Sequence, residues 1–170
     1  DGYMPWTNWR SGDARYVNGW LYDDSQGLST ISSASQRDGD PGPSTGVLFD
    51  YMQSKKIFRC PSHKPPYRRG LTEILASYNM NGAVSAYGQN LRFKIDKFTS
   101  DAVIMWEADD PLFNDGASFP TEGLAPWHGD GANVGHADGH TEWFAHTQWE
   151  YLLNERPGPL WCSPASANGM

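Results

Sequence analysis

The sequence predicts an α+β domain, an antiparallel β-sheet with flanking helices, and one domain is expected over residues 1–170. Three observations favour this class: a hairpin signal at residues 138–139, a nearly all-apolar run at residues 102–106, and two segments with the spacing of amphipathic helices. A chain of 170 residues has the usual length of one domain. Aromatic residues make up 14% of it and include 8 Trp, so we expect a core built largely from rings.

The first half of the chain contains one predicted helix. Residues 23–43 are rich in Ser, Gly and Asp, which indicates a long surface loop. Residues 45–54 then place four apolar side chains on one helical face, namely Val47, Leu48, Tyr51 and Met52. Ser44 or Thr45 stands where a helix cap is expected. We therefore predict an amphipathic helix over residues 45–54.

Two strands and a second helix are predicted in the second half. Residues 91–96 alternate between apolar and polar side chains, which indicates a strand with one buried face. Residues 102–106 are nearly all apolar, as expected for an interior strand covered on both faces. Residues 147–150 form a capping box, which predicts a helix that reaches residue 154. Residues 116–127 show no periodicity.

A β-hairpin is predicted around Asp138-Gly139. The segments 132–137 and 140–145 flank this pair, which is the two-residue signal for a type I′ turn. Gly139 adopts a positive φ at no steric cost, and Asp138 tolerates the left-handed region. In the resulting register His136 faces Thr141, while His140 lies on the other face of the sheet.

Charge and missing motifs exclude several function classes. Lys and Arg number 13 against 20 Asp and Glu, and the net charge of −7 disfavours nucleic acid as a partner. The chain has no apolar run of about 18 residues that would span a membrane. It also lacks a glycine-rich phosphate loop and a Gly-x-Ser-x-Gly elbow. We therefore expect no cofactor, although a calcium ion is a candidate.

One group of residues has the chemistry of a transition-metal site. Imidazole and carboxylate side chains occur together at His128, Asp130 and His140, which suits zinc or a similar metal. Their spacing matches no closed zinc motif. Histidines that make local hydrogen bonds are therefore the alternative.

An acidic segment is the candidate calcium site. Oxygen ligands of the kind that calcium prefers are present at Asp109, Asp110 and Asp115. The segment lacks the spacing of an EF-hand loop, so a solvated acidic turn is the alternative.

The two cysteines, Cys60 and Cys162, are candidates for a disulfide. Both lie in segments that contain Pro, which indicates loops. A bond between them closes a loop of about 100 residues and stabilises the fold by about 4–5 kcal/mol in the chain-entropy model. Two partly buried free thiols are the alternative.

The tryptophans suggest a different class of function. Five of them lie in predicted loops, where an exposed ring can stack on a sugar: Trp6, Trp9, Trp20, Trp127 and Trp161. A secreted carbohydrate-binding module is therefore one alternative hypothesis, and a metal-dependent hydrolase that uses the histidine group is another. Core packing is the simpler role, which we expect for Trp106, Trp143 and Trp149.

Several segments, in order along the chain, carry a family resemblance. His128 is followed after nine residues by Asp138-Gly139, and residues 133–140 extend the match. Residues 58–62 (FRCPS), 77–81 (SYNMN), 95–98 and 103–107 also resemble segments of the same family. Together they resemble the bacterial prepilin-type processing-associated H-x(9)-DG family, whose members are similar to type II secretion pseudopilins.

The resemblance implies a pilin- or pseudopilin-like head. Residues 1–5 resemble the point at which such proteins leave an N-terminal helix, which implies a preceding helix that anchors the protein in the inner membrane. It further implies a non-enzymatic subunit of a type II secretion pseudopilus or pilus-like envelope fibre. Its partners are then copies of itself or other pseudopilins, and its head lies in the periplasm or on the cell surface.

Within this family, the signature residues have a structural role. The resemblance implies that His128, Asp138 and Gly139 shape the hairpin region rather than perform chemistry. Two positions depart from the family, because His136 and Thr141 stand where apolar residues are usual. These two residues weaken the apolar face of the hairpin or add a polar function to it.

Overall fold

The computed structural model describes residues 2–8, 19–23, 42–67, 74–89, 91–109 and 116–170. Its fold is α+β, as predicted. The strands are β1 (Asn79–Asn81), β2 (Val103–Trp106), β3 (Ala117–Ser118), β4 (Gly131–His136) and β5 (Thr141–Ala145). The helices are α1 (Phe49–Met52) and α2 (His146–Leu152), with short 3₁₀ helices at Gly42–Thr45, Lys55–Phe58, Gly82–Gly88, Ile95–Lys97 and Pro120–Glu122.

The strands form one five-stranded sheet in the order β3-β1-β2-β4-β5. The sheet is mixed, so the prediction of an antiparallel sheet is wrong at one edge. β1 pairs antiparallel with β2, but it pairs parallel with β3, through Met80 and Ala117. The chain reverses direction between β1 and β2 and again before β3, which therefore runs in the same direction as β1.

The apolar run at residues 102–106 forms the interior strand β2, and this prediction is confirmed. A bulge between Val103 and Met105 interrupts its register with β4. Val103 and Trp106 belong to one core cluster, whereas Ile104 and Met105 pack on the other. Both faces of β2 are therefore covered, as a strand without polar alternation requires.

Irregular segments supply much of the cover for the sheet. The first core cluster includes the fully buried rings of Trp20, Tyr22 and Phe58, which lie outside the sheet and the α-helices. Their burial supports the expectation of a core rich in aromatic rings. In the part of the chain that the structure describes, no helix is long and apolar enough to span a bilayer.

The predicted helix over residues 45–54 is much shorter in the structure. α1 has four residues, and the chain before it bonds to a distant segment: Val47 N donates to Gly19 O (3.0 Å) and Leu48 N to Trp20 O (3.4 Å). Gln53 adopts a left-handed conformation with φ 53° and ends the helix. The side chain of Thr45 donates to Gly42 O and caps no part of α1.

The predicted strand at residues 91–96 is wrong. Among the described residues this segment forms an isolated bridge with the chain start, where Met4 N donates to Phe93 O (2.9 Å) and Ile95 N to Gly2 O (3.1 Å). A 3₁₀ helix then begins at Ile95, whose side chain is exposed. Apolar and polar side chains therefore alternate here in a segment that has no neighbouring strand, in the described part of the chain, with which to form a ladder of backbone hydrogen bonds.

The predicted helix after residue 146 is confirmed as α2. Its N-cap is Ala145, which makes no side-chain hydrogen bond to the helix, so the predicted capping box is wrong. The helix instead begins directly where β5 ends. It is held by Trp149, whose ring is buried and lies 5.1 Å from the ring of Trp106.

The predicted hairpin is confirmed, but its turn and register differ. Gly135 rather than His136 pairs with Thr141. The loop has three residues, with Gly139 N donating to His136 O and His136 N to His140 O, each at 3.0 Å. Within this loop, only Gly139 has a positive φ, of 91°. This is typical of a type I turn followed by a glycine bulge.

The shift by one residue changes which side chains share a face. His136 and His140, predicted to lie on opposite faces, stack with ring centroids 4.0 Å apart. Trp143 lies on the open face and is 46% exposed, so its predicted core role is wrong. Trp106 and Trp149 are buried, as predicted.

Candidate functional site

Three side chains from distant parts of the chain meet beside the end of β2. Cys60 follows a 3₁₀ helix, Glu107 directly follows β2, and His128 precedes β4. His128 Nε2 lies 3.3 Å from Cys60 Sγ and 3.0 Å from Glu107 Oε1. We call these residues the Cys–Glu–His cluster. Each belongs to a different segment of the family resemblance.

β4 holds the carboxylate of this cluster in place. The backbone amide of Asn133 donates to Glu107 Oε2 at 2.8 Å, and Asn133 Nδ2 lies 3.3 Å from the same oxygen. Glu107 N also donates to Asn133 O at 3.3 Å. Glu107 is only 1% exposed, and a buried carboxylate is costly unless such donors surround it.

His128 is fixed through both polar groups of its backbone. Its amide donates to Gly131 O (3.1 Å), and its carbonyl accepts from Trp143 Nε1 (3.0 Å). The imidazole is 30% exposed, whereas the carboxylate of Glu107 is buried. Solvent therefore reaches the cluster through the histidine.

Cys60 is held as a neutral thiol. Burial raises the pKa of the thiol, and the nearby carboxylate of Glu107 raises it further. The thiolate is the reactive form of cysteine, so these surroundings disfavour a nucleophilic role. A catalytic triad also uses both imidazole nitrogens, whereas here Cys60 and Glu107 approach the same one, Nε2.

A second histidine, His63, lies near the cluster. The ring of His63 stacks on the ring of Trp127 with centroids 3.8 Å apart, and its Nδ1 lies 3.0 Å from Ser77 Oγ. Burial lowers the pKa of His63 to about 4. This imidazole is therefore neutral at pH 7 and adds no positive charge next to Glu107.

The hairpin carries a second group of potential ligands, His136, His140 and Glu142. His136 Nδ1 contacts Asp101 O at 2.9 Å, and its buried Nε2 has no hydrogen-bond partner among the described residues. The rings of His136 and His140 are nearly parallel, at 7°. Parallel rings direct their lone pairs along parallel lines, so these nitrogens do not converge on one point.

The predicted metal set of His128, Asp130 and His140 is not brought together. His128 joins the Cys–Glu–His cluster, while His140 Nδ1 lies 2.5 Å from Asp138 Oδ1. Asp130 Oδ1 is 3.2 Å from His146 Nδ1. The prediction of one site from these three residues is therefore wrong, and so is the ligand set of the hydrolase hypothesis.

The predicted calcium ligands are described only in part. Asp109 is exposed and its amide donates to Gly123 O at 3.4 Å. Asp110 and Asp115 lie outside the described residues. Calcium binding by this segment stays a prediction.

The predicted disulfide is wrong, because Cys60 and Cys162 are both free thiols. Each sulfur has its own partners. Cys60 Sγ contacts His128, whereas Cys162 Sγ lies 3.7 Å from Asn81 Nδ2 and 3.9 Å from Val103 O. Burial raises the pKa of Cys162 to about 12.

Two of the signature residues shape the hairpin, as the resemblance implies. Asp138 Oδ1 accepts from His140 N at 3.0 Å, and this bond holds the pKa of Asp138 below its usual value. Gly139 supplies the positive φ of the turn. Asp138 has no positive φ, so its predicted left-handed conformation is wrong.

The loop tryptophans offer little surface to a sugar. Trp20 and Trp161 are buried, Trp6 and Trp127 are half-buried, and Trp9 lies outside the described residues. Among the tryptophans that the structure describes, Trp143 is the exposed one, and its indole nitrogen is already bonded to His128. One exposed ring does not form a stacking platform.

No protein-family model, curated protein or solved structure matches this chain. The described residues therefore define the molecule by its fold class and its site. It is an α+β protein with a mixed five-stranded sheet and a partly buried Cys–Glu–His cluster at the end of the central strand.

Sequence reasoning did not group Cys60 and Glu107 with His128. The available signal was the resemblance, since each residue lies in a different matching segment. Segments far apart in a chain reveal their meeting point only when the strands are placed, and the sequence interpretation placed His128 with Asp130 and His140 instead.

Proposed function

We propose that this protein is the non-enzymatic head of a pseudopilin-like subunit. The head is joined to an N-terminal helix in the inner membrane and assembles with copies of itself or other pseudopilins in an envelope fibre. One observation carries the proposal. Three segments that resemble the family, around Cys60, residues 103–107 and residues 128–140, pack together at the Cys–Glu–His cluster.

The surface around the chain start supports a helix at this end. Residues 2–4 bond to residues 93–95 and leave the ring of Tyr3 on the surface. Beside it is a cavity of about 370 Å³ that Tyr3 and Tyr51 both line. Tyr51 is 86% exposed. A helix that enters residue 2 from this side would cover these rings.

The chemistry of the cluster also favours a structural role. Cys60 is a neutral thiol and Glu107 is held by Asn133, so neither group is poised as a nucleophile or a base. The cluster instead links the end of β2 to the loop before β4. Such a tie suits a domain whose task is to present a stable surface.

The reading frame upstream of residue 1 tests the proposal. We expect a short basic leader that ends in Gly, followed by about twenty apolar residues, the length that spans a bilayer. The full-length protein, co-expressed with a prepilin peptidase, should lose the leader, and mass spectrometry of its N-terminus reads the cleavage. A matched control replaces the Gly before the cleavage site and should leave the leader in place.

A different upstream sequence would overturn the proposal. A secretory signal that ordinary signal peptidase removes would make the protein a free secreted domain. A long soluble domain in the same reading frame would exclude the membrane helix. A leader that the prepilin peptidase leaves intact would exclude the assembly route.

A further inference from the structure

We propose that Cys60 Sγ, Glu107 Oε1 and His128 Nε2 bind one divalent transition-metal ion of the zinc class. The three ligand atoms lie within 4.8 Å of one another. This inference concerns the head alone, so it stands or falls independently of the fibre role.

Two of the three ligand separations are close to those around a bound ion. Tetrahedral zinc, with a Zn–S distance of about 2.3 Å and a Zn–N distance of about 2.0 Å, separates the sulfur from the nitrogen by about 3.5 Å. Two light ligand atoms around it lie about 3.3 Å apart. The observed separations of 3.3 Å (Sγ to Nε2) and 3.0 Å (Nε2 to Oε1) need shifts of only a few tenths of an ångström.

The charges of the ligands also fit a divalent cation. A thiolate and a carboxylate together neutralise two positive charges, and a neutral imidazole completes the set. Sulfur and imidazole select zinc and related metals over calcium and magnesium, which prefer oxygen. Because the ion replaces the proton of the Cys60 thiol, binding releases a proton.

The surrounding contacts are those that orient ligands in metal sites. Asn133 binds Oε2 of Glu107 through its backbone amide and its side chain, which leaves Oε1 directed at His128. Ser62 N donates to Cys60 Sγ at 3.4 Å. Such outer contacts fix the ligands before the ion arrives. The exposed part of His128 leaves room for water as a fourth ligand.

The hairpin group of His136, His140 and Glu142 is the competing location. Its ring planes are parallel, and Glu142 Oε2 is 3.8 Å from His136 Nε2, with Glu142 half-exposed. An ion there requires both rings to rotate. The Cys–Glu–His cluster already holds one imidazole nitrogen within 3.3 Å of both other ligand atoms. It also supplies a thiolate, which gives the bound metal a distinct absorption.

Cobalt titration of the 170-residue chain, after removal of metal with a chelator, tests the proposal. We expect one equivalent of Co²⁺ to bind and to produce a thiolate-to-cobalt charge-transfer band. Cys60→Ser should abolish the band, and Cys162→Ser, the matched control at the other buried thiol, should retain it. No band in the unaltered chain would overturn the proposal, as would a band that survives Cys60→Ser.

A second pair of variants distinguishes the two locations without removing a thiol. Glu107→Gln keeps an oxygen for Asn133 but removes the charge, and we expect Co²⁺ affinity to fall by at least about 10-fold. His140→Ala should leave affinity unchanged. The reverse result, with binding lost in His140→Ala and kept in Glu107→Gln, would move the ion to the hairpin and overturn the proposal. Circular dichroism of each metal-free variant checks that the fold persists.

Discussion

Asn79 and Asn81 lie two residues apart on β1, and both side chains are buried. Asn81 Nδ2 donates to Val103 O (2.8 Å) and Leu160 O (2.9 Å), and its Oδ1 accepts from Ala83 N (2.9 Å). Both polar atoms of the Asn79 side chain lack a hydrogen-bond partner among the described residues. Residues of the same type and burial therefore make opposite contributions to stability.

We expect Asn81→Ala to lower the free energy of unfolding by about 3–5 kcal/mol, because it removes three buried hydrogen bonds to backbone groups. Asn79→Ala is the matched control. It removes two unpaired polar atoms along with some packing, so we expect a change within about 1 kcal/mol. Urea unfolding of both variants measures the difference, and equal losses would contradict the assigned bonds.

A charge effect on stability is expected at His146. Its Nε2 contacts Leu124 O (2.7 Å) and its Nδ1 contacts Asp130 Oδ1 (3.2 Å). The carbonyl of Leu124 raises the pKa of His146, Asp130 raises it further, and Asp109 adds to the same effect. The charged imidazole is therefore favoured by the folded state.

The stabilisation from His146 is fully present below the unfolded pKa of about 6.5 and is lost as the pH rises through the folded value above it. We expect the melting temperature of the unaltered chain, relative to His146→Gln, to decline as the pH rises from 6 to 8. Parallel curves for the two proteins over this range would show that the charged imidazole does not stabilise the folded state.

At the scale of the element, the hairpin makes a prediction about Gly139. A Cβ added there meets no atom within 4 Å, so any loss comes from its φ of 91° rather than from a clash. We expect Gly139→Ala to lower stability by about 1–2 kcal/mol, the cost of a left-handed conformation for an L residue.

Gly135 is the matched control in the adjoining strand. It has no positive φ, and its added Cβ would meet Met105 at an ordinary 3.9 Å. We expect Gly135→Ala to be neutral or slightly stabilising. Thermal unfolding measures both, and a larger loss at Gly135 than at Gly139 would contradict the assigned turn.

Local sequence patterns predicted which secondary-structure elements exist better than they predicted turn type and register. The apolar run of β2 and the alternating arms of the hairpin act over a few residues, and both were predicted. The turn type was not, because Asp-Gly serves both a two-residue and a three-residue loop. Pairing of His136 with His140 selects the longer loop, and that pairing depends on how β4 meets β2.

Helix 45–54 failed for a similar reason. Its apolar spacing is real, but Gly42–Thr45 forms a separate 3₁₀ helix before it and Gln53 leaves the helical region after it, so only Phe49–Met52 is α-helical. The amides of Val47 and Leu48, which have no partner within the first turn of a helix, bond to Gly19 and Trp20. A local pattern does not record such distant partners.

At the scale of the whole molecule, the exposed rings near residue 2 make a prediction about the proposed N-terminal helix. Tyr51 is 86% exposed, so Tyr51→Ser should leave the melting temperature of the 170-residue chain unchanged. In a protein extended by the proposed helix we expect the same variant to lower the melting temperature, because that helix would pack on this ring. The expected loss is about 1.5–3 kcal/mol, the value of burying a large apolar side chain.

Tyr151 on α2 is the control, because it is 68% exposed and does not line the cavity beside Tyr3. Tyr151→Ser should be neutral in both forms of the protein. Equal effects of Tyr51→Ser in the two forms would contradict a helix packed on this ring.

The sequence alone predicts four features: the α+β class, the interior strand, the hairpin with its glycine, and the aromatic core. These depend on periodicity and turn chemistry, which act between near neighbours. Only the tertiary structure decided the parallel β3 edge, the register of the hairpin and the separate partners of Cys60 and Cys162. It alone brought Cys60 and Glu107 to His128, from 68 and 21 positions away. Contacts at such separations depend on how all the strands and loops pack together, which no local pattern records.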